Sequence, residues 1–336
     1  MKLLSASSRR YERQRRLVSA ALRYPELKSR RNRTKAIRPR DLLLFATVRN
    51  EGDRIAWFLD YYRERGVAHF IIVDNASDDG SAEMLEAQPD VSLWSTTASY
   101  KRANFGVHWI NALASRHADN HWILVVDPDE YLVYPHCDTR DIPVLTDHLD
   151  SIRKPSLGAI LIDLYGEGPI GETVCAPGES PIEAAPWFDT ANYFFRRDDR
   201  YRNIWIQGGP RLRAFFSDQP MFAPALNKTP LVKWRRGQCF VSSTHSLLPR
   251  ALNVTYDEGD GERLTGALLH AKFLSSIGRK ADEELARNQH YAGGREYRAY
   301  AESAAKGETL WTPQSARYED WRQLVGLGLM SRGGWL

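Results

Sequence analysis

From Leu42 to Val126 the chain alternates short, mostly apolar runs with stretches in which apolar residues recur at helical spacing. Leu42 to Val48, Val67 to Val73, Val91 to Trp94 and Ile123 to Val126 carry the pattern of strands buried on both faces. Between them, Ile55, Phe58, Leu59 and Tyr62 share one helical face, and Gly66 stops that element. Ser81 stands where a cap would open a helix through Leu85. Trp109, Ala112 and Leu113 share a face of a helix over Phe105 to Ala118. Strands alternating with helices predict parallel pairing and right-handed crossovers, hence an α/β fold with a mostly parallel sheet.

After Asp141 the pattern is less regular. Ala159 to Tyr165 is a clear strand, followed by Gly- and Pro-rich sequence to Pro186. Trp205 to Phe216 and Lys233 to Val241 read as further strands, and 281–304 is helical by composition. The tail after Trp311 carries no clear pattern.

Charge divides the chain differently. Residues 1–40 hold 14 Lys/Arg against Glu12 and Glu26, a net +12, whereas the remainder is −8. A basic arm therefore precedes a mildly acidic body. Such an arm suits anionic lipid, at about 1 kcal/mol per basic residue near the surface, or nucleic acid, or a free solubilising tail. Leu17, Val18, Ala21 and Leu22 have helical spacing among arginines, so a short interfacial helix ending before Pro25 is expected. No apolar run approaches the roughly 18 residues of a membrane span, and Leu3-Leu4 is too short for a secretory signal. Cys137, Cys175 and Cys239 are scattered, which argues against a disulfide framework or zinc site and fits a reducing cytosol.

The chemistry gathers where the strands end. The first run closes in Arg49-Asn50-Glu51-Gly52, the second in Asp74-Asn75, and the fourth in Asp127-Pro128-Asp129-Glu130. Pro128 cannot continue a central strand, and parallel topology puts all three ends on one rim, where ligands of α/β sheets bind. Carboxylates two residues apart on a bend can converge on Mg2+ or Mn2+. A carboxylate beyond the second strand can take hydrogen bonds from a ribose or base, and a divalent ion can bridge a diphosphate. The glycine fingerprints of dinucleotide and P-loop sites are absent.

Phe45-Ala-Thr-Val-Arg-Asn-Glu-Gly52, Ile72-Val-Asp-Asn-Ala-Ser-Asp-Asp-Gly80 and Val126-Asp-Pro-Asp-Glu-Tyr-Leu132 resemble the family-2 type of glycosyltransferase, in particular its bacterial branch with an Asp-x-Asp-Glu-Phe/Tyr motif, akin to family 92. The resemblance implies a GT-A fold with a Rossmann-type nucleotide-binding sheet. It also implies a less regular acceptor-side half and C-terminal helices. Residues 1–40 would be the arm and 41–310 the transferase domain, with a nucleotide-sugar half over 41–135 and an acceptor- and metal-completing half over 136–280. Residues 311–336 would form a tail. Val48, Arg49, Asn50, Glu51, Asp74 and Asn75 would hold the nucleoside. Asp127 would stand near ribose, diphosphate and metal, and Asp129 would ligate the metal.

Leu161 to Glu167, Gly208 to Phe215, Asn227 to Pro230, Ser243-Thr-His245 and Leu269 to Phe273 resemble the same branch less closely; Leu269-His270-Ala271 departs from its usual Asn-His-Tyr. A late histidine often completes the metal shell in GT-A enzymes, which points to His270, with His245 second. The acceptor base would be Glu167, Asp163 or Asp189, and Arg211 and Lys228 would neutralise diphosphate. Trp187, Trp205 and Trp234 rank first for sugar contact.

The expected function is metal-dependent transfer, with inversion, from a nucleotide-diphosphate sugar (UDP by family habit) to a glycan or lipid-linked glycan acceptor in cell-surface polysaccharide synthesis. The expected place is the cytoplasm, peripheral on the inner membrane face through residues 1–40. The alternatives are a nucleotidyltransferase on a similar sheet, for which Arg49–Gly52 is a poor activation loop, and a non-catalytic glycan- or nucleic-acid-binding protein. The acidic body offers no basic groove for nucleic acid.

Overall fold

The computed structural model describes residues 6–256, 261–278, 280, 283 and 295–336. The expected alternation is present: β2 (Leu43–Val48), α2 (Ile55–Arg63), β3 (His69–Asp74), α3 (Ser81–Glu86), β4 (Val91–Ser95), α4 (Val107–His117) and β5 (Trp122–Val125). In front stand α1 (Ala6–Arg23) and β1 (Lys28–Arg31). Strands β4, β3, β2 and β5 lie side by side and parallel.

The second half adds β6 (Glu130–Val133), α5 (Ile142–Ser151), β7 (Ser156–Tyr165), α6 (Pro181–Ala184) and β8 (Trp187–Asp189). A hairpin of β9 (Tyr193–Asp198) and β10 (Asn203–Gly208) runs into α7 (Gly209–Phe215). Then follow β11 (Asn227–Lys233), β12 (Cys239–Phe240), β13 (Leu247–Leu248), β14 (Thr265–Phe273), α8 (Arg295–Ala305), β15 (Ser315–Arg317) and α9 (Trp321–Gly326). The sheet continues from β5 through β11, β7 and β14 to β6. β11 is antiparallel to both neighbours, β14 is parallel to β7, and β6 is antiparallel to β14. Thus β2, β3, β4, β5, β7 and β14 all point one way, and their C-terminal ends share a rim.

The doubly buried strands are explained by the two layers they serve. Leu44, Ala46, Phe70 and Ile72 face one core with Phe58, Tyr62 and Leu145; Leu43, Phe45, Ile71 and Val73 face the other with Trp109 and Leu113. Alternate residues of a strand point to opposite faces, so a strand covered on both sides reads as a continuous apolar run.

The less regular half holds the departures. Trp205 to Phe216 is not one strand: Gly208 and Gly209 take φ 145° and 63°, and Pro210 opens α7. The strand expected at Lys233 to Val241 lies earlier, as β11, and only Cys239–Phe240 pairs beyond it. Asp141 caps α5 by accepting the Val144 N–H at 3.0 Å, a helix the pattern had not suggested. Of the helical stretch 281–304, residues 281, 282 and 284–294 lie outside the described residues, and α8 covers the end. The tail packs home: β15 pairs with β8, and Trp321 and Trp335 are buried.

From Ala6 on, the arm is not a free tail. α1 ends at Arg23, before Pro25, and Arg16 Nη1 donates to Val241 O at 2.9 Å. β1 extends the sheet edge against β4. Among the described residues no helix is long and apolar enough to cross a membrane.

Candidate active site

The loops after β2 and β3 are stitched together. Asn50 N–H donates to Ser77 Oγ at 3.0 Å, Glu51 N–H to Ser81 Oγ at 2.8 Å, and Gly52 N–H to Asp79 Oδ2 at 2.8 Å. Asp78 N–H returns a bond to Asn50 Oδ1 at 3.0 Å. A Cβ at Gly52 would meet Asp79 Oδ2 at 3.1 Å, so glycine suits this close approach. Ser81 is therefore no cap: it braces the neighbouring loop, and Gly80 precedes α3 without a side-chain cap. Asp74 is buried and accepts the Ser77 N–H at 3.3 and 3.4 Å. Asn75 ties the rim together: its N–H donates to Val48 O, and its amide to Thr96 O and Ala98 O at 3.0 and 3.1 Å.

Above these loops opens a cleft of ≈ 200 Å³. Val48, Arg49, Glu51 and Asn75 line it from β2 and β3; Asp127 and Asp129 from the link between β5 and β6; His270 from β14. Asn50 and Asp74 stand just behind this lining. Thr47 also lines it, and its buried Oγ1 has no hydrogen-bond partner among the described residues.

Asp129 and His270 face each other, with Oδ2 and Nε2 3.4 Å apart. The other ring nitrogen, Nδ1, lies 2.6 Å from Asp163 Oδ1, and Arg211 Nε donates to Asp163 Oδ2 at 2.7 Å. Burial opposes each of these charges, but the partners outweigh it. His270 and Arg54 hold Asp129 well below the usual carboxylate range. Arg211 and His270 lower Asp163, and Asp129 and Asp163 raise His270. No three His, Cys, Asp or Glu side chains among the described residues form a metal cage. Asp129 and His270 do fit a two-ligand set. Asp163 occupies the supporting position that carboxylates take behind metal-bound histidines, and Mg2+-like ions commonly complete their shell with phosphate oxygens and water.

Asp127 opens to the cleft, yet the protein crowded around it and the charge of Glu130 push its pKa up to about 7, against the pull of Lys228. Glu130 is buried beneath: Oε2 accepts the Asp127 N–H at 3.2 Å, and Oε1 pairs with Lys228 Nζ at 2.8 Å. Tyr62 fixes this link from α2, its hydroxyl donating to Glu130 O at 2.8 Å.

Several expected residues stand elsewhere. Lys228 neutralises Glu130 below the cleft, and Arg211 holds Asp163; neither lines the cleft. Asp163 is committed to Arg211 and His270, and Asp189 to Arg213 at 2.9 and 3.0 Å. Glu167 is exposed on its loop, its carbonyl accepting from Thr309 Oγ1 at 3.1 Å. His245 bonds through Nδ1 to Asn227 O at 2.6 Å, away from Asp129. Trp234 is core, stacked on Phe240, and Trp187 and Trp205 are outside the cleft lining.

Other residues line the cleft without having signalled themselves: Tyr100, Arg54, Lys272, Lys280 and Glu283. Arg54 Nε pairs with Glu51 at 3.1 Å, and its Nη1 lies 3.8 Å from Asp129 Oδ2. Lys280 Nζ pairs with Glu51 at 2.6 Å, and Glu283 pairs with Arg49. Lys272 lies two residues beyond His270 on one strand, a spacing that puts side chains on one face.

No family model and no curated protein matches the chain. Among solved structures, a Bacillus anthracis structure described as a glucose-1-phosphate thymidylyltransferase in complex with a sucrose matches at 7% identity and a TM-score of 0.25, covering 40% of this chain and 60% of that one. At that score the likeness decides nothing about this protein, whose α/β architecture rests on its own strand order.

Proposed function

We propose that the chain is a glycosyltransferase that takes its sugar from a nucleotide-diphosphate donor, with UDP as the nucleotide. The acceptor in this reading is a glycan or lipid-linked glycan, and transfer inverts the anomeric centre. The observation that carries the reading is the pair Asp129 and His270, 3.4 Å apart on the rim and backed by Asp163. Beside the pair, Arg49, Arg54, Lys272 and Lys280 line the cleft, and cations of this kind suit a diphosphate. Asp129 and His270 would hold Mn2+ or Mg2+, which supplies charge neutralisation for the leaving diphosphate when bound. Val48, Glu51 and Asn75 would meet the nucleoside, with Tyr100 offering a ring. The acceptor base has to be a carboxylate facing the cleft, which argues against Asp163, Asp189 and Glu167.

The short β2 loop, sewn to its neighbour, is unlike a mobile Gly-rich activation loop and disfavours a nucleotidyltransferase. The test is a hydrolysis and binding screen of nucleotide-sugars with and without Mn2+. The expected result is one donor with metal-dependent release of its nucleotide, lost in Asp129→Asn. If no donor binds or turns over with the metal, the transferase reading falls.

A further inference from the structure

We infer that α1 and the β9–β10 hairpin together form a docking surface for an anionic lipid bilayer. On α1, Tyr11, Val18 and Leu22 are 71%, 47% and 74% exposed. Spacings of seven and four residues put them on one stripe of the helix. Arg10 and Arg15 are exposed beside it, and the helix as a whole carries six arginines against one glutamate. Its opposite face is the packed one, through Ala20 and Glu12.

The hairpin repeats this chemistry on a strand. Phe194 and Phe195 are 42% and 68% exposed, and Arg196 and Arg197 are exposed after them. Successive strand residues point to opposite faces, so Phe195 and Arg197 share one face of β9 and Phe194 and Arg196 the other, and a bilayer meets one of these pairs. The two elements touch at the hairpin turn, where Glu12 Oε1 accepts from the Tyr201 hydroxyl at 2.8 Å and pairs with Arg200 at 3.2 Å.

Apolar side chains interleaved with arginines are what the headgroup layer accepts: rings and aliphatic chains enter the interface, and guanidinium groups pair with lipid phosphates. Arg10, Arg15 and Arg197 have no carboxylate partner among the described residues, so their charge is available to an anionic surface. A protein partner for so basic a surface would need a matching acidic face, whereas an anionic bilayer supplies that charge over its whole area. None of these residues lines the cleft, so the inference stands whether or not the transferase reading does.

The experiment is flotation of the full chain with vesicles of phosphatidylcholine alone and of phosphatidylcholine with phosphatidylglycerol. Binding is expected only to the anionic vesicles and should weaken as salt rises. Arg196→Gln with Arg197→Gln should lower the affinity about fivefold per arginine that meets the bilayer. Phe194→Ser with Phe195→Ser, and separately Val18→Ser with Leu22→Ser, should lower it at every salt concentration. These sites are exposed, and an unchanged circular dichroism spectrum shows that each variant folds. Equal binding to neutral vesicles, no binding to either, or undiminished binding by both hairpin variants would overturn the inference. So would a dimer in light scattering that the phenylalanine variant dissolves, because the patch would then be a contact between copies of the chain.

Discussion

The two sides of the rim are held in different ways. On the β2–β3 side, neighbouring loops are joined by short hydrogen bonds between backbone N–H groups and the side chains of Ser77, Asp79 and Ser81. On the β7–β14 side, the chain Arg211–Asp163–His270–Asp129 joins four elements through buried charges. The first arrangement joins neighbouring loops and holds one charge, Asp79, whose pKa is lowered against its burial by the bonds from Ser81 and the Gly52 N–H. The second is long-range, and each member is costly to leave alone, because an unpartnered buried charge destabilises far more than a lost neutral hydrogen bond.

That contrast can be broken at its charged end first. Asp129→Asn should lower metal-dependent donor binding by about 100-fold or more, since the candidate first ligand is gone; calorimetry with Mn2+ and the donor measures it. Full retention would show that the charged side is scaffolding alone. Asp163→Asn should cost about 1–3 kcal/mol of stability, because Arg211 loses its carboxylate at 2.7 Å and keeps only Glu296 at 3.3 Å, and about 10–100-fold in metal affinity through loosening of His270. Thermal unfolding and a metal titration separate the two effects.

Acid should act through buried groups beyond the cleft as well. Burial, with Lys228 nearby, pushes His245 down to about 3. The unfolded chain, with His near 6.5, therefore binds more protons between these values. Stability from this group is complete above about 6.5 and is lost as pH falls toward 3. Asp163, lowered in the fold, adds a loss of the same sign below its ordinary carboxylate range. Asp127 and His270, both raised in the fold, contribute in the opposite sense, so the His245 share is read by difference: from pH 7 to pH 4 the melting temperature of the parent should fall relative to that of His245→Asn. The smallest effect belongs to the other side: Ser77→Ala removes one loop brace and should cost about 1 kcal/mol, with metal affinity unchanged. A loss of metal affinity equal to that of Asp163→Asn would erase the distinction between the sides.

The same contrast explains what could be read from the residues. The parallel half was legible because each of its strands is buried on both faces and each loop is contiguous: Leu42 to Val48 and Asp127-Pro-Asp129 announce a strand and its end by themselves. Asn50 was legible as a strand-end residue and Ser81 as a helix cap, but neither in its partner, since a hydrogen bond between loops leaves no periodicity. Arg54, Lys272 and Lys280 were not legible as cleft residues, because a single cation on a helix or strand looks like surface charge. The spacing of His270 and Lys272 was the one available hint. Asp163 stands out as an acid inside an apolar strand, but its partners Arg211 and His270 arrive from other elements, the second from a strand over a hundred residues later, and no local pattern links them.

The antiparallel insertion of β11 has a consequence for how the molecule is made. Leu124 of β5 pairs with Leu231 of β11, and only through β11 does β5 reach β7. While the chain is being synthesised, β5 is thus an open, apolar sheet edge until about a hundred residues more have emerged, and contacts that distant slow folding. A fragment stopping near residue 135 would contain every recognisable motif of the nucleotide half and yet keep that edge bare, a template for aggregation. The segment that looks most like a domain by its motifs is therefore not a unit that should fold alone.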